Sequence, residues 1–214
     1  MPFANDNFTD TDTTDLSAHT ADSGATWTKR GGNAITINSN RISAAGSGES
    51  NGYYSSATPA NADYEVEAIF HSDNSGGVTP AICLRMATGA ATQYMLRYGG
   101  GTWQLYEVSA GAETSIGSYT GDSLTNGNPR TVVLKAAGTT ISVTIDTVER
   151  ISVTDSTISA AGRPGVAEYY ADVNTVRYLD TWSAADAAST IFADMWFTQV
   201  YPIYPKPEVL VISA

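Results

Sequence analysis

Between residues 130 and 182 the chain alternates apolar and polar positions with period two, run after run. Val132, Leu134 and Ala136 share one face of the first run, and Ile141, Val143 and Ile145 share one face of the second, with Gly138 between them. This alternation predicts half-buried antiparallel strands joined by a tight turn. Residues 148–153, 166–170 and 175–182 read as three further strands, with a turn at Gly162-Arg163-Pro164-Gly165. Strand after strand with no helix between them predicts one sheet packed on another.

The pattern extends upstream. Trp27, Ile35, Ile37 and Ile42 mark short strands, and an edge strand is expected near Phe8. Tyr64, Val66, Ala68 and Phe70 share one face of a clear strand whose other face carries Glu65 and Glu67. Ile82, Leu84 and Met86 mark another, and Tyr94, Leu96 and Tyr98 the next. The triplet Gly99-Gly100-Gly101 turns that strand into Trp103-Gln104-Leu105-Tyr106, and a weaker strand surrounds Ile116. No period of twenty to fifty residues repeats, so neither a solenoid nor a propeller is expected. Past Trp182 the character changes. Residues 183–193 form the one helical turn the chain predicts. Met195, Trp196, Phe197, Tyr201 and Tyr204 follow, among Pro202, Pro205 and Pro207, which favour an extended path. The expected fold class is thus all-β: a two-sheet antiparallel jelly-roll sandwich over residues 1–183, with an extended aromatic and proline-rich tail over residues 184–214.

Composition narrows the function. The 214 residues can bury one sizeable core, and 22 acidic against 11 basic residues leave a net charge of −11. That balance excludes nucleic acid as a partner, since phosphate binding needs a basic surface. No apolar run approaches the length of a membrane span, and the first residues lack the basic and apolar regions of a secretory signal. Cys83, the single cysteine, reads as a small buried hydrophobe. Asp10, Asp12, Asp15 and Asp22 invite a calcium reading, but their spacing lacks the glycine and terminal glutamate of an EF-hand, and turn carboxylates capping local backbone are expected instead. No cofactor is expected.

Taken in order, these pieces resemble the concanavalin A-like (LamG-type) jelly-roll superfamily. The resemblance rests on the strand at residues 64–70, Ile82-Cys83-Leu84-Arg85, Gln93-Tyr94-Met95-Leu96-Arg97-Tyr98, Trp103-Gln104-Leu105-Tyr106, the hairpin at 130–145, Gly162-Arg163-Pro164-Gly165-Val166 and the run 176–182. One departure is Asp146-Thr147, where such sheets often carry Asp-Gly. The resemblance implies two curved sheets, one of them concave. It leaves function open, because its members include lectins, carbohydrate-binding modules, glycosidases, adhesion domains and phage virion proteins.

Glycosidases of this superfamily set carboxylates on one strand as Glu-x-Asp-x-x-Glu. Glu65 and Glu67 share a face, but Ala68, Ile69 and Phe70 follow and the third acid is absent, so no catalytic residue is assigned. His19 and His71 adjoin no Gly-x-Ser-x-Gly motif. Two non-enzymatic readings follow. In the first, the chain is a structural virion protein of a tailed bacteriophage, a capsid decoration, cement or tail-associated subunit. There Met195, Trp196, Phe197, Tyr201 and Tyr204 dock on other virion subunits and the protein forms a homo-oligomer. In the alternative it is a carbohydrate-binding module or lectin, secreted, that takes a cell-surface glycan on Tyr94, Arg97, Tyr98 and Trp103. Tyr53 and Arg85 stand nearby in that reading.

Overall fold

The alternating runs pair into two antiparallel sheets. A computed structural model describes residues 1–32, 34–44, 51–72, 78–170 and 177–187. Its strands are β1 (Ala4–Asp6), β2 (Trp27–Gly31), β3 (Ile35–Asn38), β4 (Arg41–Ala44), β5 (Asn51–Ser55), β6 (Tyr64–Ser72), β7 (Val78–Met86) and β8 (Gln93–Gly99). There follow β9 (Thr102–Ser109), β10 (Ala112–Thr120), β11 (Arg130–Ala137), β12 (Thr140–Ile145), β13 (Val148–Thr154), β14 (Arg163–Tyr170) and β15 (Arg177–Asp186). One sheet has eight strands in the order β13-β12-β11-β6-β15-β4-β3, with β1 added along β15, and the other has seven in the order β10-β9-β8-β7-β14-β5-β2. Two meanders, β7 to β10 and β11 to β13, are joined by connections that cross from sheet to sheet. This is the jelly-roll sandwich that the sequence predicts.

The inward residues of the opening stretch, Val132, Leu134, Ala136, Ile141, Val143 and Ile145, are fully buried. They meet Leu96, Tyr98, Trp103 and Leu105 from the other sheet in one continuous core. Trp103 anchors it, edge-on to Phe70 at 5.2 Å and tilted against Tyr98 at 4.7 Å. The five strands expected between residues 130 and 182 are all present, as β11 to β15.

Three local expectations are corrected. The edge strand lies at Ala4–Asp6, not at Phe8, whose φ of 51° takes it out of the extended region and whose ring is buried. The helical turn expected from residue 183 is the end of β15. There Ser183, Ala184, Ala185 and Asp186 pair with β6, and β1 covers the other edge from Asp6 to Ala4. Pairing on both edges outweighs the helix propensity of alanine. The sandwich therefore runs past residue 183, while residues 188–214, with Met195, Trp196, Phe197, Tyr201 and Tyr204, lie outside the described residues. Finally, Arg163, Pro164 and Gly165 belong to β14 and not to a turn. Pro164 falls within a register shift against β7, where its missing N–H breaks no ladder bond.

A buried polar clasp holds the N-terminal segment to the sandwich. Asp6, fully buried, accepts from the Trp27 indole at 2.7 Å and the Phe8 amide at 2.7 Å, and its Oδ1 lies 3.0 Å from His19 Nε2. The other His19 nitrogen lies 2.9 Å from Asp10 Oδ2. Trp27 in turn packs edge-on to Trp182 at 4.8 Å. Burial disfavours the imidazolium, but the hydrogen bonds to Asp10 and Asp6 outweigh it, and the His19 pKa rises above the ordinary 6.5. Asp10 is held below its ordinary 3.8, first by the bond to His19 and then by the Thr11 amide.

Two predictions follow from these local structures. The raised His19 contributes its stability in full below pH 6.5 and loses it as pH climbs through the raised value. The urea-unfolding free energy lost in His19→Gln is therefore expected to be large at pH 6 and to shrink by pH 8.5; a difference constant over that range would refute the clasp. In the β12–β13 hairpin, Asp146 and Thr147 have φ of 46° and 74°, so a β-branched residue occupies a left-handed position that Asp-Gly suits. Thr147→Gly should stabilise by about 1 kcal/mol. Calorimetry should register this as a rise in Tm of roughly 2–4 °C; an unchanged or lower Tm counts against strain there.

A candidate ligand-binding trough on the seven-stranded sheet

A sheet face turned to water normally carries polar, exposed side chains, and the eight-stranded sheet follows this rule. Glu65 and Lys135 stand on its outer face, more than a third exposed and 4.0 Å apart, with Glu67 exposed beside them. The outer face of the seven-stranded sheet breaks the rule. Ala81, Met95 and Ala167 are 1% exposed and Cys83 0%, although all four point away from the inter-sheet core. With Met86 and Val108 they form a second apolar cluster, against which Tyr54 and Tyr106 are packed.

The register shows how this surface is built. One cross-strand row runs Gln104, Arg97, Ala81, Ala167, Gly52 and Gly31. The next runs Tyr106, Met95, Cys83, Gly165, Tyr54 and Thr28. In both rows the positions on β7 and β14 are small, Ala81 with Ala167 and Cys83 with Gly165, while Arg97, Met95 and Tyr106 stand to one side on β8 and β9 and Tyr54 to the other on β5, which leaves a floor between two walls. With strands about 4.8 Å apart, Tyr106 and Tyr54 stand about 19 Å apart along the second row. Gly165 is required in this floor, because a Cβ there would lie 2.2 Å from the Met86 sulfur and 2.4 Å from the Tyr53 carbonyl.

The wall on β8 and β9 is a tied polar-aromatic group. The Arg97 guanidinium lies 4.1 Å over the Tyr106 ring and 3.0 Å from a Glu113 carboxylate oxygen. The Tyr106 hydroxyl donates to Gln104 at 3.1 Å. The wall on β5 and β2 carries Tyr54 and Arg30. Arg30 projects into a cleft of about 350 Å³ lined by Gly31, Gly52, Gly89, Ala91 and Gly111. Its Nη2 is 3.0 Å from the point where a Cβ on Gly52 would sit, and its Nη1 is buried without a hydrogen-bond partner among the described residues. Burial lowers the Arg30 pKa from its ordinary value, but guanidinium remains a cation at neutral pH.

Of the residues expected to take a glycan, Arg97 alone reaches this trough. Tyr94, Tyr98 and Trp103 point to the opposite side of the same strands and are buried at 0%, 3% and 0% exposure. Two of them spend their polar atoms internally: Tyr94 donates to Asp155 at 2.5 Å, and the Trp103 indole donates to the Asp122 carbonyl at 3.2 Å. Tyr53 is core as well, its hydroxyl on Asp15. Arg85 is buried and saturated, donating to the carbonyls of Ala62, Ile158 and Gly138. These rings hold the sheets together and offer a ligand no face. The trough residues missed were Tyr106, Tyr54 and Arg30; the signal available was that β7 and β8 are apolar in both alternation phases, which marks strands covered on both faces.

Other candidate chemistry resolves into structure. Asp10, Asp12, Asp15 and Asp22 cap separate backbone amides, those of Thr11, Ser39, Ser17 and Asn7. Among the described residues no three His, Cys, Asp or Glu side chains gather as a metal would need. Glu168 faces the core side of β14, turned away from the trough, and burial raises its pKa well above the ordinary carboxylate value. Among the described residues no helix is long and apolar enough to cross a membrane.

Compared with known proteins, the chain matches no protein-family model and no curated protein sequence. Solved structures do share its shape. The carbohydrate-binding module CBM66 from Bacillus subtilis superposes with a TM-score of 0.60 at 18% identity, over 75% of this chain and 95% of that one. The exoplasmic/lumenal domain of VIP36 in its Ca2+/Man-bound form gives 0.59 at 11%, over 78% and 85%. A Bacillus subtilis protein with a galectin-like fold gives 0.56 at 12%, over 75% and 89%. Likeness at such identities establishes the fold.

The trough floor yields a direct chemical prediction. Burial pushes the Cys83 thiol up to about 12, against a smaller opposing pull from Arg30. Ellman's reagent at pH 8 is expected to leave the folded protein unmodified and to titrate one thiol in guanidinium chloride. Rapid labelling of the native protein would show that the floor is open.

Proposed function

We propose that this chain is a carbohydrate-binding domain that holds a glycan in the trough without cleaving it. The observation that carries the reading is the pair of walls, Tyr106 with Arg97 and Tyr54 with Arg30, facing each other across a floor of Ala81, Ala167, Gly52 and Cys83. A sugar presents apolar C–H faces and a rim of hydroxyls. Half-buried tyrosine rings pack against the first, while guanidinium, amide and carboxylate groups donate to and accept from the second. The Arg97–Glu113–Gln104 group is already tied together, so ordering it on binding costs little.

The carboxylates support binding without catalysis. Glycoside hydrolysis needs two carboxyl groups across the scissile bond. In the cross-strand rows that face the trough, Glu113 is the one carboxylate among the described residues, and it is engaged with Arg97. The structural neighbours support the reading too, since CBM66 is a carbohydrate-binding module and the VIP36 domain is seen with Man bound. The virion reading draws on residues 195–204, which lie outside the described residues, and none of the neighbours named above supports it. A glycan-binding domain of this kind acts wherever glycans are displayed, on a cell or a particle surface.

The test is a glycan array on the full chain, followed by calorimetry on the best ligand. Tyr106→Ala is expected to weaken binding tenfold or more, about 1.4 kcal/mol, while Lys135→Ala on the opposite sheet changes nothing. A blank array, or binding indifferent to Tyr106 and Tyr54, would remove the trough as the site.

A further inference from the structure

Arg30 is an exception among the arginines. Arg97, Arg130 and Arg150 each lie within 3.0 Å of a carboxylate, on Glu113, Asp146 and Asp122, and Arg41 lies 3.7 Å from Asp180. Arg85, Arg163 and Arg177 donate to main-chain carbonyls. Arg30 has neither kind of partner among the described residues, and its Nη1 is shut off from water as well. A desolvated, unpaired guanidinium nitrogen is costly, and native proteins keep such groups where something else completes them. Its position is also imposed by the backbone: the β2–β5 register slips between Lys29 and Gly31, so Arg30 is the unpaired residue of a bulge, a device that re-aims a side chain.

The surroundings suit an anion. The cleft is walled by Gly31, Gly52, Gly89 and Gly111, and added Cβ atoms at Gly31, Gly89 and Gly111 would meet no atom within 4 Å. The space in front of the guanidinium is therefore open to a ligand group. In the cross-strand rows the floor continues from Gly52 through Ala167 and Ala81 to Arg97 without a side chain larger than a methyl. Ala81 and Ala167 are themselves 1% exposed, so a saccharide resting on the tyrosine walls above them would bring a substituent to Arg30 through the cleft.

We infer that this cleft is an anion-accepting subsite, in which the Arg30 guanidinium pairs with a carboxylate or sulfate carried by the bound saccharide, so that the domain selects acidic sugars. The inference rests on the trough reading for the saccharide itself, but the anion site can be probed apart from it. Planar guanidinium matches the two oxygens of a carboxylate or two of those of a sulfate with paired N–H donors, which a neutral hydroxyl cannot equal.

The experiment is an NMR titration of the full-length protein with sodium acetate, sodium sulfate, glucose, glucuronate and glucose 6-sulfate at fixed ionic strength. Acetate or sulfate is expected to shift the Gly31 and Gly52 amides, and Arg30→Gln to abolish the response. Glucuronate or glucose 6-sulfate should bind at least tenfold more tightly than glucose, the better of the two naming the group recognised, and Arg30→Gln should bring that ratio to about one. Gly52→Ala serves as a second variant that spares the arginine. Its Cβ would press on Nη2, and it should cut the preference at least threefold in a protein with an unchanged amide spectrum. An Arg30-dependent ion response with no saccharide bound keeps the anion site and overturns the saccharide reading. Acidic and neutral sugars binding alike, or ion responses that survive Arg30→Gln, overturn the subsite while leaving the trough to stand on its Tyr106 test.

Discussion

The arrangement of the seven-stranded sheet depends on how Arg85 is held. Its backbone φ is 52°, a left-handed value that a long side chain avoids, and it persists because so much converges on the residue. The amide donates to the buried Tyr64 hydroxyl, and the guanidinium donates to carbonyls of three separate loops, at Ala62, Gly138 and Ile158. Gly162 presses against the same backbone so closely that a Cβ would fall 2.4 Å from the Arg85 carbonyl carbon. The kink breaks the alternation of β7. Leu84 remains in the core, Arg85 leaves for the edge of the sandwich, and Met86 is delivered to the outer face, where its sulfur lies over Gly165. The trough floor is in this sense a consequence of a buried cation placed at its end.

The same structure explains why one sheet is two-faced and the other is not. β11, β12 and β6 bury one side and leave Glu65, Glu67 and Lys135 in water, which is the ordinary condition of an antiparallel sheet. β7, β8 and β14 bury both. The outer side chains of Ala81, Cys83, Met95 and Ala167 are at most 1% exposed, and Tyr54 and Tyr106 pack against them as the aromatic walls of this face. Packing against the core places Tyr94, Tyr98 and Trp103 inside the sheet, and the residues left for a ligand are those of the opposite phase.

Architecture was legible in the chain because it rests on period two. The strands at 130–145, the Gly99-Gly100-Gly101 turn and the buried character of Cys83 all come from alternation or from turn chemistry, and these are local. The clasp among Asp6, His19 and Trp27 was not legible, since it joins a strand tryptophan to polar residues 13 and 21 positions apart that no local pattern links. The candidate site was legible only in part. Alternation already puts Tyr94, Tyr98 and Trp103 on apolar-rich faces, where the structure buries them, but which residues of the opposite phase stand together depends on cross-strand register, and that register brings Tyr106 to the trough although it shares a strand with Trp103. The strand character of Ser183 to Asp186 was hidden by an alanine-rich sequence that only its two pairing partners, β1 and β6, could override.

A chain of net charge −11 that selects acidic ligands looks contradictory until distances are considered. At physiological salt the screening length is about 8 Å, so carboxylates on the far sheet contribute little at the cleft. Within the cleft, an ion pair at about 4 Å under an effective dielectric near 20 is worth roughly 4 kcal/mol before desolvation is subtracted. Arg30 has already surrendered part of its hydration to the fold, so that cost falls mainly on the ligand. The global charge therefore acts on encounter, slowing the approach of an anion, while the local guanidinium acts on residence once the anion is seated. The carboxylate nearest on the trough, Glu113, is neutralised by Arg97, and this pairing keeps the channel from repelling what its far wall is built to hold.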